Sequence, residues 1–583
     1  MFVRKLMLRQ IQAYLLSSLL AVQPVMANVT PGNANTSLTQ AGNGVPVVNI
    51  AAPNSKGLSH NVYKNYNVDD KGLILNNSTA QIAQSQLGGL LQNNPNLKGQ
   101  AANVILNEVT GASRSQLKGY TEVFGKSANV VVANPYGITC NGCGFINTPR
   151  VTLSTGNPLI ENDVLKGFDI SDGDVVVAGK GLDATNQDYF DILTRTASIH
   201  GKIHANSLAV VTGINEVEYA SNAVTRSGTG KNAASSLAID SSALGGMYAG
   251  KISLVATEKG VGVNVGELAT STGDITIGAD GKITLNRSSS AKNTSISSNE
   301  EINLSGQHYA AGSTTVTSSQ GSANISNASV SSGQDITLDV RTVVVGDSEV
   351  IAGVADDGSL AASGNLSVKA DNTSLVDSTV QATKALTMTT QSLGVDENSQ
   401  VVGANIKLAG KQTLDGKINA LDAISLSGHS VAVTSSATLT SASLDAAIED
   451  AMTLSGQIET NDVKIDSDSL DVSKTGKLSA TQSLAVAVKS GLDNSGTIHS
   501  AGSSTVNAIT LKQRGDLVST GSLNVQATTA EISGLTQSGD VSVINAEELS
   551  VTDQGTLLAG KALSVTAHTL TNEAPLPEKP RSL

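Results

Sequence analysis

Tryptophan is absent from this 583-residue chain, 2% of its residues are aromatic, and only two are cysteine. So few cysteines exclude a disulfide-dense scaffold. Charged residues make up 15%, against roughly 25% in an average globular domain, so the surface is built from Ser, Thr, Asn and Gly. An ordinary α-helical protein would need more Glu, Lys, Arg and Leu. Positive charge is the scarcer sign. With 37 Lys+Arg against 50 Asp+Glu the formal net charge is −13, which argues against nucleic acid or an anionic membrane as partner. No Phe, Tyr or Trp follows Tyr309, whereas a barrel in an outer membrane needs aromatic girdles. The chain is therefore expected to carry no outer-membrane pore at its C-terminal end and to rely on another protein for passage. Proline is missing between Pro158 and Pro575.

Residues 1–27 read as an export signal, with Arg4, Lys5 and Arg9 as a basic start, Ile11 to Val22 as the apolar stretch and Val25-Met26-Ala27 as the cleavage site. The apolar run is too short to span a bilayer. No later segment has the roughly 18 consecutive apolar residues of a spanning helix. At the other end, Pro575-Leu576-Pro577-Glu578-Lys579-Pro580 makes residues 571–583 a proline-rich, extended tail.

A long stretch rich in Gly, Ser, Thr and Asn could be disordered, but it keeps a period. Apolar-x-apolar triplets begin at Leu366, Leu386, Ile406, Ile424 and Leu444, and similar ones at Ile275, Ile283, Ile302, Ile336, Leu484, Ile509, Leu523 and Leu563. Alternation over two residues places both apolar side chains on one face of a strand. A repeat of about 20 residues is too short for helix-pair solenoids and lacks the leucine-rich pattern. Three short strands joined by Gly/Asn/Asp turns fit it. The expectation is an all-β, right-handed parallel β-helix: a single-chain solenoid whose coils stack about 4.8 Å apart. A β-sandwich, whose strands also alternate, is the competing architecture.

Residues 28–270 differ in texture and are expected to add extra-helical elements to the coil body, before a β-helical repeat rod over 271–570. Two Asn-Pro turns stand out there, Asn94-Pro95-Asn96-Leu97 and Asn134-Pro135-Tyr136-Gly137-Ile138. Asn can cap its own turn and Pro presets φ at the second position. In the second motif Asn, Pro and a fourth-position Gly match a type I turn, in which Tyr136 needs no positive φ.

The surroundings of these turns carry a resemblance. The segments Gly99 to Val109 and Asn134 to Thr148, with Val47-Val48-Asn49-Ile50, Gly57 to Asn61, Gly246 to Ala249 and Thr257 to Val263, resemble the secretion domain of two-partner secretion exoproteins. This is the filamentous-haemagglutinin-like family, which includes adhesins, haemolysins and contact-dependent growth-inhibition proteins. The likeness covers roughly residues 40–285. Tyr136 stands where the family usually has a second Asn. The resemblance implies a right-handed parallel β-helix, and export through a dedicated outer-membrane β-barrel transporter that recognises the N-terminal region while it is extended. It assigns Asn94, Pro95, Asn96 and Leu97, and Asn134, Pro135, Tyr136, Gly137 and Ile138, to turn formation and transporter recognition.

Cys140 and Cys143 could form a redox pair, half a zinc site or a small disulfide. A thioredoxin-type site needs a strand-to-helix context and a zinc site needs two further ligands. In an oxidising periplasm a local disulfide is the reading adopted, pinning a loop and not the fold. His200 and His204, in one strand, would sit about 13 Å apart on one face, too far for one metal ion unless a turn intervenes; they read as two solvated polar residues. Asp69-Asp70 and Asp172-Gly173-Asp174 read as turns. No nucleophile elbow, phosphate loop or HExxH is present, so no catalytic, cofactor or metal residues are assigned and no enzyme is expected. The reading is a secreted or surface-displayed exoprotein that leaves through the periplasm of a Gram-negative cell. It would act in adhesion or cell contact, with a receptor on a host or bacterial surface. The alternative is a haemolysin or the stalk of a growth-inhibition toxin. A polysaccharide lyase is disfavoured because the repeats show no Asp/Arg/Lys cluster.

Overall fold

In the computed structural model the described residues are 29–228, 236–241, 245–360 and 362–574. The export signal and the tail from Pro575 lie outside them. The chain divides into two compact units, residues 1–267 and 268–583. Apart from one 3₁₀ turn at Pro95–Leu97, the regular elements of the described residues are strands. Their ladders are overwhelmingly parallel, so the protein is an all-β parallel solenoid.

In the second unit, one rung lies one sequence period from the next. Leu366 pairs with Leu386, Leu386 with Ile406, Ile406 with Ile424 and Ile424 with Leu444, the same residues that begin the triplets in the sequence. Each triplet buries its two apolar ends: Leu386 and Met388 are fully buried while Thr387 between them is half-buried on the outer side. Stacking like on like builds a continuous apolar column that no single coil could form alone. One triplet is misread. Ile509 is 53% exposed, and Leu511 and Gln513 take the inward positions instead. Ile509 falls at a break in the ladder: Ser503 to Asn507 pair with Ser483 to Ala487, and pairing resumes only at Thr510 with Gly491 and Leu511 with Leu492, so the inward alternation restarts after Ile509. A second irregularity is an insertion. Ile336 pairs with Leu366, and the extra residues include a loop at Ala355 to Leu360, held by Tyr309, whose hydroxyl donates to Asp356 Oδ1 at 2.6 Å.

The first unit has the same ladder with a different wrapping. Ile105 pairs with Val130, Val130 with Val151, Val151 with Phe190, Phe190 with Leu208 and Leu208 with Ile252, forming the inner column. Here the strands are buried on both faces: Val130, Val131 and Val132 are all inaccessible. The reason is an added four-stranded antiparallel sheet, Asn157–Glu161, Val164–Ile170, Asn215–Glu218 and Val224–Ser227. It lays Leu165, Phe168, Ile170 and Val217 over Leu106, Val131, Ala133, Leu193 and Val211. Near-continuous apolar runs are what doubly covered parallel strands require. A hairpin, Ile82–Ser85 with Gly89–Gln92, packs Ala83, Leu87 and Leu91 against Ala41, Val47, Ile74 and Phe124. These are the expected extra-helical elements.

Candidate recognition turns

Both Asn-Pro turns use one device. Asn94 is buried, and its Oδ1 accepts the Asn96 amide at 2.9 Å while its Nδ2 donates to the carbonyls of Ile50 (2.9 Å) and Asn76 (2.8 Å). Asn134 is equally buried. Its Oδ1 accepts the Tyr136 amide at 2.9 Å, and its Nδ2 donates to the Ser113 carbonyl (2.9 Å) and Ser115 Oγ (3.0 Å). Each side chain thus closes its own turn and ties it to neighbouring coils. A short amide does both because it carries a donor and an acceptor on one rotor.

The remaining motif residues divide by exposure. Leu97 is buried and Pro95 exposed. Asn96 Nδ2 donates to the carbonyls of Asn49 at 3.1 Å and Ile50 at 3.3 Å. In the second turn the Gly137 amide donates to the Asn134 carbonyl at 3.0 Å, Ile138 is buried, and Tyr136 points outward with 53% of its surface exposed. Gly137 has φ +98°, and a Cβ there would lie 2.7 Å from Arg114 Nη2, so glycine is demanded by both backbone and space. Arg114 in turn pairs with Asp174, which places Asp172-Gly173-Asp174 in a turn beside the motif, with Gly173 at φ +84°.

Cys140 and Cys143 are disulfide-bonded across the turn Asn141-Gly142, and both are buried. Asn141 Oδ1 accepts the Lys180 amide at 2.9 Å, so the pinned turn also fastens the next coil. His200 and His204 are not on one strand. His200 follows the strand Thr196–Ile199 and His204 belongs to Ile203–Thr212, with Gly201 and Lys202 making a corner between them.

The sequence reading missed the ion pairs that hold the added sheet. Arg150 Nε donates to Asp191 Oδ2 at 2.6 Å, Asn222 Nδ2 donates to Asp191 Oδ1 at 2.6 Å, and the Arg150 guanidinium lies 4.7 Å from the centre of the Tyr219 ring. Arg195 reaches Glu258 at 2.9 Å. Both arginines are nearly buried, and nothing in the local sequence distinguishes them from solvated ones. Glu122 is another. Its buried carboxylate accepts from Ser85 Oγ (2.7 Å) and from the amides of Gln86 and Leu87 (2.8 Å each), fastening the hairpin.

Comparison with known proteins adds what geometry alone does not. The family model of the TPS secretion domain matches residues 23–285. The chain is 38% identical over 574 residues to the 16S rRNA endonuclease CdiA of Enterobacter cloacae subsp. cloacae, which covers 96% of this chain and 17% of that protein. It is 42% identical over 426 residues to the tRNA nuclease CdiA of Yersinia mollaretii, covering 72% of this chain and 14% of that one. The chain therefore spans less than a fifth of the length of these curated relatives. Among solved structures, the filamentous hemagglutinin secretion domain aligns at 29% identity over 61% of this chain and 99% of that one, with a TM-score of 0.37. These relatives correct one expectation. The absence of catalytic motifs was read as excluding an enzyme, but relatives matched across 72% and 96% of the chain are named as nucleases, and that exclusion is withdrawn. Motif absence speaks only for the motifs sought. Among the described residues no helix is long and apolar enough to cross a membrane.

Proposed function

The chain belongs to the two-partner secretion exoproteins, whose secretion domain it carries over residues 23–285, and from that premise we propose that it is the export and display portion of a contact-dependent toxin of the CdiA kind. It leaves the periplasm through a cognate outer-membrane β-barrel transporter and stands at the surface of a Gram-negative cell. The observation that carries this reading is the extent of the match. Likeness to CdiA continues over 96% of the chain, so the repeat solenoid is shared as well as the secretion domain. Nuclease action, the activity for which those relatives are named, is the activity proposed for the whole protein to which this portion contributes.

The transporter is assigned the two Asn-Pro turns, read before they fold. In the folded unit the amides of Asn94 and Asn134 are spent on internal hydrogen bonds, leaving Pro95 and Tyr136 outward. Recognition of the asparagines therefore precedes coil formation, and the turns then release them to the fold. Expression with and without the transporter, followed by assay of the medium, tests the export route. Secretion independent of any partner would refute it. Killing of neighbouring cells in co-culture, lost when the solenoid is deleted, tests the display role. Adhesion is kept as a second reading because of a row of outward aromatic side chains in the first unit.

A further inference from the structure

Outward aromatics are costly to leave in water and add nothing to a solenoid core, and this chain has only 9 Tyr and 5 Phe to place. One row of the first unit carries two of them, Tyr120 and Tyr248, with His204 between. Tyr120 pairs with Gly144, Gly144 with Asp183, Asp183 with His204 and His204 with Tyr248, the same ladder position on five successive rungs, each about 4.8 Å from the next. The missing side chain at Gly144 is what lets Tyr120 lie down: a Cβ there would come within 2.4 Å of the Tyr120 ring. The Tyr120 hydroxyl then reaches Asp183 Oδ2 at 3.2 Å. Asp183 is held further by the Thr185 hydroxyl at 2.7 Å, and its carboxyl lies below the usual range, with those hydrogen bonds and His204 outweighing partial burial. At the other end His204 stacks on Tyr248, ring centres 5.2 Å apart and planes 16° from parallel, with Lys202 Nζ 5.8 Å above the Tyr248 ring.

Beside the row runs a trench. Gly142, Gly179, Gly181 and Gly201 line it together with Cys143 and Leu182. Lys180, His200 and Lys202 border it, with Asp183 the carboxylate on its lining. The surface therefore offers two aromatic faces separated by a fixed carboxylate, with ammonium donors alongside.

We propose that this row and trench bind an extended oligosaccharide. A pyranose has an apolar C–H face and a rim of hydroxyls. The rings of Tyr120 and of the His204–Tyr248 stack match the first, and Asp183, Lys180 and Lys202 match the second. The rung spacing repeats along the row, so the ligand is a linear chain of sugars lying along the solenoid. The proposal rests on the surface-contact reading and supplies its ligand class.

The full mature chain, purified, is titrated by saturation-transfer NMR and by tyrosine fluorescence, which no tryptophan masks. The probes are hexamers of β-1,4-linked glucose, of N-acetylglucosamine and of galacturonate, with an unglycosylated peptide mixture as the fourth arm. Saturable binding of at least one sugar is expected, weakened about tenfold or more by Tyr120→Ala and by Asp183→Asn. Tyr189→Ala, at an exposed tyrosine on a different ladder, where it pairs with Arg150, stays within about twofold. Asp183→Asn keeps the size of the side chain and guards against a folding artefact at Tyr120. Binding by none of the sugars, binding by the peptides alone, or sugar binding that survives both substitutions would overturn the assignment. Secretion of the Tyr120→Ala variant, measured in parallel with the transporter present, separates failure here from failure of the export reading.

Discussion

At the residue scale, single polar side chains inside the first unit do the work usually left to apolar packing. Removing the Asn94 amide strands the carbonyls of Ile50 and Asn76 in a buried site. Asn94→Ala is expected to cost about 3 kcal/mol, read as a lowered urea midpoint for the first unit. Gly137→Ala is expected to destabilise by about 2 kcal/mol through its positive φ and the clash with Arg114. In the second unit His308 is buried between Ser288 Oγ, 2.9 Å from Nδ1, and the Ser305 carbonyl, 2.8 Å from Nε2. Since the carbonyl can only accept, Nε2 carries the proton and Nδ1 takes the serine hydroxyl, and burial pushes the imidazole down to about 4. An unfolded histidine titrates near 6.5. Above that value the ring is neutral in both states and no stability is lost. Between about 6.5 and 4 the unfolded chain binds the extra proton, so stability falls as pH falls, by about 3 kcal/mol in all. Urea denaturation at pH 7.5 and 4.5 checks this, and His308→Gln should remove that share of the slope.

At the scale of elements, a coil is stable only between its neighbours. Leu386 is buried between the rungs of Leu366 and Ile406. Leu386→Ala is expected to cost about 2–5 kcal/mol, whereas Thr387→Ala, one residue along and turned outward, should stay within about 0.5 kcal/mol. Equilibrium unfolding of the two variants tests the inward phase of the whole ladder. The antiparallel sheet of the first unit depends on its buried charges as well as its apolar contacts. Arg150→Ala leaves Asp191, whose side chain is 3% exposed, without its cation. That is expected to cost about 3–5 kcal/mol. Replacing both, Arg150→Met with Asp191→Leu, should recover most of the loss, a difference readable in thermal melts.

At the scale of the whole molecule, composition and export agree. The one disulfide joins residues three apart, so no long-range bridge would obstruct threading of the extended chain on the export route proposed above. A ring so short gains little loop entropy. The double variant Cys140→Ser with Cys143→Ser is therefore expected to change the urea midpoint by less than about 1 kcal/mol equivalent and to be exported at the wild-type level, measured in the medium of transporter-bearing cells. The family match covers residues 23–285 and the CdiA likeness runs on beyond it, and the proposal of export and display in one chain rests on both.

The sequence by itself determined the solenoid of the second unit. There only one face of each strand is covered, and the period-two alternation at Leu366, Leu386 and Ile406 writes that face directly. It also marked both Asn-Pro turns, because turn chemistry is local. Tertiary structure decided the rest. Val130 to Val132 read only as an apolar run, since what covers their second face is a sheet drawn from residues 157–227. The partners of Arg150 and Glu122 come from other coils. Tyr120, Asp183 and Tyr248 fall in one row because coils of unequal length still stack rung on rung, a register fixed by backbone hydrogen bonds that leave no mark in the spacing of the side chains they align.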